Sequence, residues 1–342
     1  MNATIKSHRS ENRTPLQEVI PLETPYRMHI EVTNLCNFKC IFCPPYNSGK
    51  GVGPKKQNMS FPFFKKIIDD LGRFPQKLKK LYFHNFGEPL INKHLPAMIQ
   101  YAKDRDVTEQ TELITNGSLL AREVNRSLVR SGLDHITISV EGLTEHDYLS
   151  VARYKIRYAR FIDAIRDFFE NKGHCTVHIK IADIALRSKD HEERFYHMFG
   201  DMADTIFIEN IVNQDDAYPY TELNTFKSTF SRGQYGEDLQ NIKVCPSLFF
   251  MLTVNSDGSV SPCCVDWRRQ VLIGHCSRQT LLEIWHGAPL SHLQILHLQG
   301  QRHQHAICSK CNYLTYSSDP RDNIDEYADR LLHRLRPSYD KA

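Results

Sequence analysis

The chain lacks any apolar run near the roughly 20 residues that a membrane-spanning helix needs. Its first 25 residues, MNATIKSHRSENRTPLQEVIPLETP, lack the apolar core of a signal peptide. Both absences predict a cytoplasmic protein. An excess of one charge is missing too: 43 Lys and Arg against 40 Asp and Glu leave a formal net charge of +3, so bulk charge implies neither nucleic acid nor an anionic membrane as partner. A chain of 342 residues can bury a sizeable core, as one large domain or one and a half. The last thing lacking is a fourth cysteine beside the first three. Residues 34–46 read NLCNFKCIFCPPY, with thiols at Cys36, Cys40 and Cys43. A structural zinc takes four ligands, normally as two pairs. Three thiols at spacings of four and three suggest instead a metal centre with an open corner.

What is present is ten cysteines, which in a reducing compartment favour metal or redox chemistry over disulfides. Cys175 stands alone in a strand-like stretch, as a core residue would, and the other six lie between 245 and 311. Between the two groups the pattern alternates strand and helix. Strand-like stretches fall at 26–33 (YRMHIEVT), 78–84, 111–115, 134–140, 175–182 and 205–209, and helical spacing at 61–71, 95–104, 119–132, 158–171 and 189–199. Six βα units in succession imply a parallel sheet with right-handed crossovers, and the periodicity leaves open an open doubly wound sheet or a full or partial barrel. In such folds ligands sit at the carboxyl ends of strands. There the chain places the tri-thiol loop, the turn NFGEP (85–89), Thr115-Asn116-Gly117, and Ser139 with Glu141.

These motifs resemble the radical S-adenosylmethionine (SAM) superfamily: CNFKCIFC has its CxxxCxxC signature, and FGEP is similar to its GGEP motif, with Phe86 in place of the first glycine. The resemblance implies an α/β fold built as a partial (β/α)6 TIM-type barrel. It implies a [4Fe–4S] cluster held by Cys36, Cys40 and Cys43, with SAM on the open iron and cleaved to a 5′-deoxyadenosyl radical. Phe42 would pack near the adenine. Gly87, Glu88 and Pro89 would meet the methionine amino group, and Asn116, Ser139 and Glu141 its polar contacts and those of the ribose. An external electron donor of the flavodoxin or ferredoxin type is implied as well.

The second cysteine region reads VCPSLFFMLTVNSDGSVSPCC, a hairpin signal around Ser256-Asp257-Gly258, followed by a helix at 280–298 interrupted near Gly287 and by ICSKC. A hairpin with 17 residues between Cys245 and Cys263 returns its ends to meet Cys308 and Cys311, and four thiolates make a closed site for zinc or iron–sulfur. This stretch resembles the SPASM and twitch extensions of radical SAM enzymes. By that resemblance Cys245, Cys263, Cys308 and Cys311 would hold one auxiliary [4Fe–4S] cluster, leaving Cys264 and Cys276 as candidate hydrogen-atom donors. The expected organisation is an extension at 1–25, the partial barrel at 26–240, the auxiliary domain at 241–325 and a tail at 326–342.

His292, His297, His303 and His305 read as a solvated face, and residues 153–160 (RYKIRYAR) as a charge-rich helix face. With only some 25 residues before the first strand, a leader-peptide-binding domain is not expected. The expectation is therefore a small-molecule substrate, a sugar, cyclitol or other polyol, oxidised with the auxiliary cluster as electron acceptor. The alternatives are a sugar or aminoglycoside epimerase using a cysteine donor, a peptide maturase, and a non-enzymatic metal-binding or electron-transfer protein.

Overall fold

A computed structural model describes residues 1–47, 51–213 and 230–339. Among the described residues ten strands form one sheet: β1 (Thr4–Ile5), β2 (Arg27–Ile30), β3 (Leu78–Tyr82), β4 (Thr108–Thr115), β5 (His135–Val140), β6 (Thr176–Ala182), β7 (Thr205–Glu209), β8 (Met251–Val254), β9 (Ser259–Ser261) and β10 (Gly274–His275). The order is β1-β7-β6-β5-β4-β3-β2-β8-β9-β10, with β2 to β7 parallel and in sequence, as a partial barrel requires. Both barrel edges are covered. β1 pairs in parallel with β7, and β8 pairs in parallel with β2 before β9 returns antiparallel.

Strand alternation divides the sheet into two unlike faces. Met28, Ile30, Leu81, Leu113, Ile136, Ile138, Val177 and Ile179 are fully buried. They point to the helix layer, where Phe64 of the helix Phe61–Leu71 meets Phe83 and Phe161 of Tyr158–Glu170 closes with Ile138 on Gly117. The other face carries Arg27, His29, Lys80, Tyr82, Glu112, His135, His178 and Lys180 on matching register positions. A barrel turns that face inward. The helices start where the sequence supplies caps: Ser60, Thr144 and Ser188 each accept a backbone N–H of the first turn.

Residues 1–25 join the fold: besides β1, Leu16 and Ile20 are buried, and Trp285 Nε1 donates to Leu22 O at 2.9 Å. Two expected helices begin later than their sequence spacing predicts. The helix expected from 119 begins at Arg122, because Leu120 N–H is taken by Gly117 O in the preceding turn. Residues 153–160 are helical only from Tyr158, since Arg153 turns the chain at φ 50°. The terminal helix Ala328–Tyr339 buries Leu331 and Leu335 as an amphipathic end should, and residues 340–342 of the expected tail lie outside the described residues. Cys175 is buried in the core, as expected.

One buried ion pair joins the barrel to the hairpin. Arg269, 3% exposed, contacts the Glu31 carboxylate just past β2, and its Nη1 lies 2.7 Å from Asp257 at the hairpin tip. Removing one partner of such a pair leaves an uncompensated buried charge. Arg269→Met should therefore destabilise the protein by about 3 kcal/mol or more, read as a lower urea midpoint. The double variant Glu31→Gln/Arg269→Met should recover most of that loss, and equal losses in the two proteins would refute the assignment.

Candidate active site

The tri-thiol loop leaves β2 and is held on both flanks. Asn34 gathers residues 51–59, donating to Val52 O and Lys55 O and accepting from Gln57 N. Lys39 N and Ile41 N donate to Ala152 O and Val151 O, fixing the loop to the end of the helix Glu145–Val151. Cys43 N closes a turn on Cys40 O at 3.0 Å. The three thiols lie within one another's electrostatic reach. Burial, first, and the neighbouring thiols push Cys43 up to about 12 and Cys40 well above its ordinary value, and burial pushes Cys36 up to about 12.

The Gly-Glu-Pro turn locks onto this loop. Gly87 has φ 95°, and a Cβ there would stand 2.5 Å from Thr33 O and 2.9 Å from Leu35 O, so only glycine permits the approach. Glu88 N–H donates to Leu35 O at 2.7 Å. The Glu88 carboxylate is engaged within the protein: it accepts from Thr115 Oγ1 (2.6 Å), Leu90 N (3.0 Å) and Asn116 N (2.7 Å), and burial raises it to about 7. Glu88 thereby ties the end of β4 to the cysteine loop, while Pro89 opens a short 3-10 turn. Asn116 completes the link, donating to Asn37 Oδ1 between the first two cysteines. Phe42 packs half-buried against the core. Ser139 sits on the inward face opposite Lys180. Glu141, 6% exposed, leaves Oε2 buried without a partner beside the Cys40 thiol and the equally unpartnered Tyr148 hydroxyl, and burial raises it to about 7.

The second thiol set also assembles. Cys245 neighbours Cys311 and Cys308, and Cys263 neighbours Cys311 and Cys245. Burial with these neighbours pushes Cys245 up to about 12 and Cys308 to about 11. His297 and His305 depart from the solvated face expected of them. His297 is 1% exposed and its Nδ1 accepts from Cys245 N at 3.2 Å, while His305 Nδ1 accepts from Cys308 N at 3.1 Å. An amide turned away from water needs an acceptor, and the helix Ala288–Leu298 supplies it through His297 and the segment after the short 3-10 turn Arg302–Gln304 through His305. His292 and His303 are exposed as expected.

The two leftover cysteines separate. Cys264 lies beside Cys263, Arg27 and Tyr313, at the start of β2. Cys276 is 1% exposed against the outer helix, where Lys66 donates to its carbonyl and Lys66 and Asp70 flank its thiol.

Between the two thiol sets lies the inward face of the sheet, which the motif reading missed. β8 runs in register with β2, Arg27 opposite Met251 and Ile30 opposite Val254. The thiols that precede β8 and follow β9 therefore collect at the start of β2, and the tri-thiol loop follows its end. Across this face Lys80 bonds Glu112 at 2.8 Å, His29 stacks on Tyr82 at 4.3 Å, His135 stacks on His178 at 5.7 Å, and Lys180 pairs with Glu209. Buried polar atoms left without a partner include Arg27 Nε, His29 Nε2, Glu112 Oε1, Thr137 Oγ1 and Thr253 Oγ1. Each costs on the order of 1–3 kcal/mol unless a ligand or water satisfies it. The sequence signal for them was present: a fully buried parallel strand ordinarily reads as a continuous apolar run, whereas HITISV and HIKIA alternate.

Comparison with known proteins agrees with this architecture. Residues 30–181 match the Radical SAM superfamily and residues 245–312 an iron-sulfur cluster-binding domain of the SPASM type. Among curated proteins, the tungsten-containing aldehyde ferredoxin oxidoreductase cofactor-modifying protein of Pyrococcus furiosus is 31% identical over 34% of this chain and 31% of its own length. The S-adenosyl-L-methionine-dependent 2-deoxy-scyllo-inosamine dehydrogenase of Niallia circulans is 19% identical over 85% of this chain and 94% of its own. The matches to the first two curated relatives thus span only about a third of those proteins, 31% and 27%. Among solved structures, BtrN in complex with AdoMet and 2-DOIA shares the fold at TM-score 0.55 and 16% identity, covering 86% of this chain and 96% of that one. Streptococcus suis SuiB bound to S-adenosylmethionine aligns at TM-score 0.60 and 16% identity, covering 87% and 73%.

The first domain implies a [4Fe–4S] cluster and SAM, and the second implies auxiliary iron–sulfur. Among the described residues no three His, Cys, Asp or Glu converge on a single point as a mononuclear site requires. A cubane takes one thiolate per iron, and thiolates are the donors that soft iron–sulfur centres use, which is the donor set of both groups. The unpartnered Glu141 Oε2 next to Cys40 is a free acceptor in the same pocket. Anaerobic reconstitution should accordingly give about eight irons per chain in two cubanes. Replacing Cys36, Cys40 and Cys43 by Ala should halve that count. Zinc in place of iron, without charge-transfer absorption, would contradict it.

Proposed function

Because the chain joins a radical SAM domain to an auxiliary iron–sulfur domain, we propose that it oxidises a small polyol: a sugar, cyclitol or related alcohol that loses a hydrogen atom from a carbinol carbon and then a proton and an electron to become a carbonyl compound. The observation that carries this reading is the polar inward face, bounded by Cys36, Cys40 and Cys43 at one end of β2 and by Cys245, Cys263, Cys308 and Cys311 at the other. When bound, the first cluster and SAM supply the 5′-deoxyadenosyl radical that removes the hydrogen atom, and the auxiliary cluster supplies a one-electron acceptor.

The chain's own residues do the rest. Cys36, Cys40 and Cys43 hold the first cluster. Gly87 brings backbone close to the cysteine loop, and Glu88 and Asn116 hold that approach rigid through Thr115 and Asn37, while Pro89 sets the turn. Phe42, Ser139 and Glu141 border the SAM pocket. Donors and acceptors on the inward face, among them Arg27, Lys80, Tyr82 and His84, satisfy substrate hydroxyls. Paired charges such as Lys80 with Glu112 suit a neutral or zwitterionic polyol better than a bare anion, because neither partner is left to be neutralised. An external flavodoxin- or ferredoxin-type protein would deliver the initiating electron. No helix among the described residues is long and apolar enough to cross a membrane.

A specific observation supports a second reading. Cys264 stands at the auxiliary end of the polar face beside Arg27, where a thiol could return a hydrogen atom to a substrate radical and make the protein an epimerase. Cys276, packed against the outer helix, has no comparable placement. A peptide maturase is the remaining alternative, since SuiB has been solved bound to the precursor peptide SuiA.

Incubating reconstituted protein with SAM, dithionite and a panel of polyols in deuterated water discriminates among these. Oxidation gives 5′-deoxyadenosine and a product two mass units lighter, and Cys264→Ala should leave the first turnover intact. A product of unchanged formula carrying one non-exchangeable deuterium would establish the epimerase instead.

A further inference from the structure

Oxidation of an alcohol releases a hydroxyl proton, and the inward face contains a group prepared to take it. His29, 7% exposed, sits on β2 between the two thiol sets. Its Nδ1 lies 3.2 Å from the carbonyl oxygen of His84. A carbonyl can only accept, so Nδ1 carries the hydrogen and Nε2 the lone pair. That Nε2 is buried and has no hydrogen-bond partner. The ring is held flat on Tyr82, at 4.3 Å and 3°, with the His84 ring edge-on at 5.4 Å. Burial, reinforced by His84 and Arg27, keeps the imidazole neutral.

The neighbouring groups are committed elsewhere. His84 has the opposite tautomer, because its Nδ1 accepts from Ile114 N at 3.0 Å, so its Nε2 is a donor. Glu112 is held by Lys80 and lowered to about 2 despite its burial, which makes it a poor base. Glu209 is paired with Lys180, and His178 Nδ1 with Thr205. His8 and His135 each leave Nδ1 unpartnered, with no hydrogen bond on that atom to set the tautomer. Thr253 Oγ1, on the register neighbour of His29 in β8, is also unpartnered and can hold a second oxygen of the substrate.

We propose that His29 Nε2 accepts the hydroxyl proton of the substrate as its carbinol carbon is oxidised. The step balances: the carbon-bound hydrogen atom leaves as part of 5′-deoxyadenosine, one electron passes from the resulting carbon radical to the oxidised auxiliary iron–sulfur cluster, the O–H proton passes to Nε2, and a C=O bond forms. The hydroxyl of the carbon radical grows more acidic as its electron departs, so a neutral imidazole of reduced basicity is base enough when proton and electron leave together, and a radical without that base keeps its electron. The assignment rests on the polyol-oxidation reading above.

Two measurements test it. In the protein without cofactors, nitrogen NMR should show the Nδ1–H tautomer for His29, and an Nε2–H tautomer overturns the proposal. In reconstituted enzyme, His29→Gln keeps an acceptor near the same place but cannot take a proton. With a carbon-deuterated substrate it should still label 5′-deoxyadenosine at close to the wild-type rate, while carbonyl product falls about 100-fold or more and a substrate radical accumulates in electron paramagnetic resonance. Product formation within about threefold of wild type, or labelling lost in step with product, overturns the base assignment and leaves the oxidation reading standing. Wild-type enzyme that makes no carbonyl product from any polyol sinks that reading, and this assignment with it.

Discussion

The register between β2 and β8 is the constraint on which the rest of the structure depends. β2 has four residues, roughly 10 Å of chain, and it hydrogen-bonds to β3 on one side and β8 on the other. Because β8 is parallel to it, the chain entering β8 and the chain leaving antiparallel β9 both arrive beside Arg27, and the tri-thiol loop departs past Ile30. A slip of one residue would turn His29 outward and Met28 inward, since side chains alternate with period two. Arg269 holds that register from above by joining Glu31 to the hairpin tip.

A sheet with one apolar and one polar face, both buried, is expensive to fold. The helix-facing side is nearly all Ile, Leu, Val, Met and Phe, and at about 0.8 kcal/mol per buried CH2 it supplies the driving force. The inward side works against folding, because Arg27, His29, Glu112, Thr137 and Thr253 each leave a polar atom unsatisfied. Such a face is stable only because the apolar side and the sheet hydrogen bonds outweigh it. A packed barrel interior of branched apolar residues would have folded more easily and held nothing.

The parts legible in the sequence are those written locally. The Gly-Glu-Pro and Asn-Gly turns, the Ser-Asp-Gly hairpin and the break at Gly287 each reflect backbone chemistry within a few residues, and the structure places them as read. What escaped was long-range. His297 and His305 were assigned to solvent because their partners, the amides of Cys245 and Cys308, are fixed by three-dimensional packing and not by spacing. The inward face lay in plain view as polar alternates in HITISV and HIKIA, but its meaning depends on both faces being covered. Residues 1–25 carry no periodic signal, yet β1 pairs with β7 and the His8 ring packs tilted against Phe207 at 5.4 Å.

The electrostatics of the tri-thiol pocket bear on how it is filled. Three thiols and the carboxylates of Glu88 and Glu141 are buried together, and burial drives every one of them toward its protonated, neutral form. Protonation therefore limits the negative charge of the pocket, and all the charge it can gain is negative. Iron, an ammonium group or a sulfonium entering it reverses the balance, because each thiol that becomes a ligand must give up a proton. Glu88 is held through both oxygens, Oε1 accepting from Thr115 and Leu90 and Oε2 from Asn116, which fixes its carboxyl in the turn. Glu141 Oε2, by contrast, has no partner within the protein. The acid that braces the turn and the acid with an unpartnered oxygen are thus two different residues, one after β3 and the other after β5.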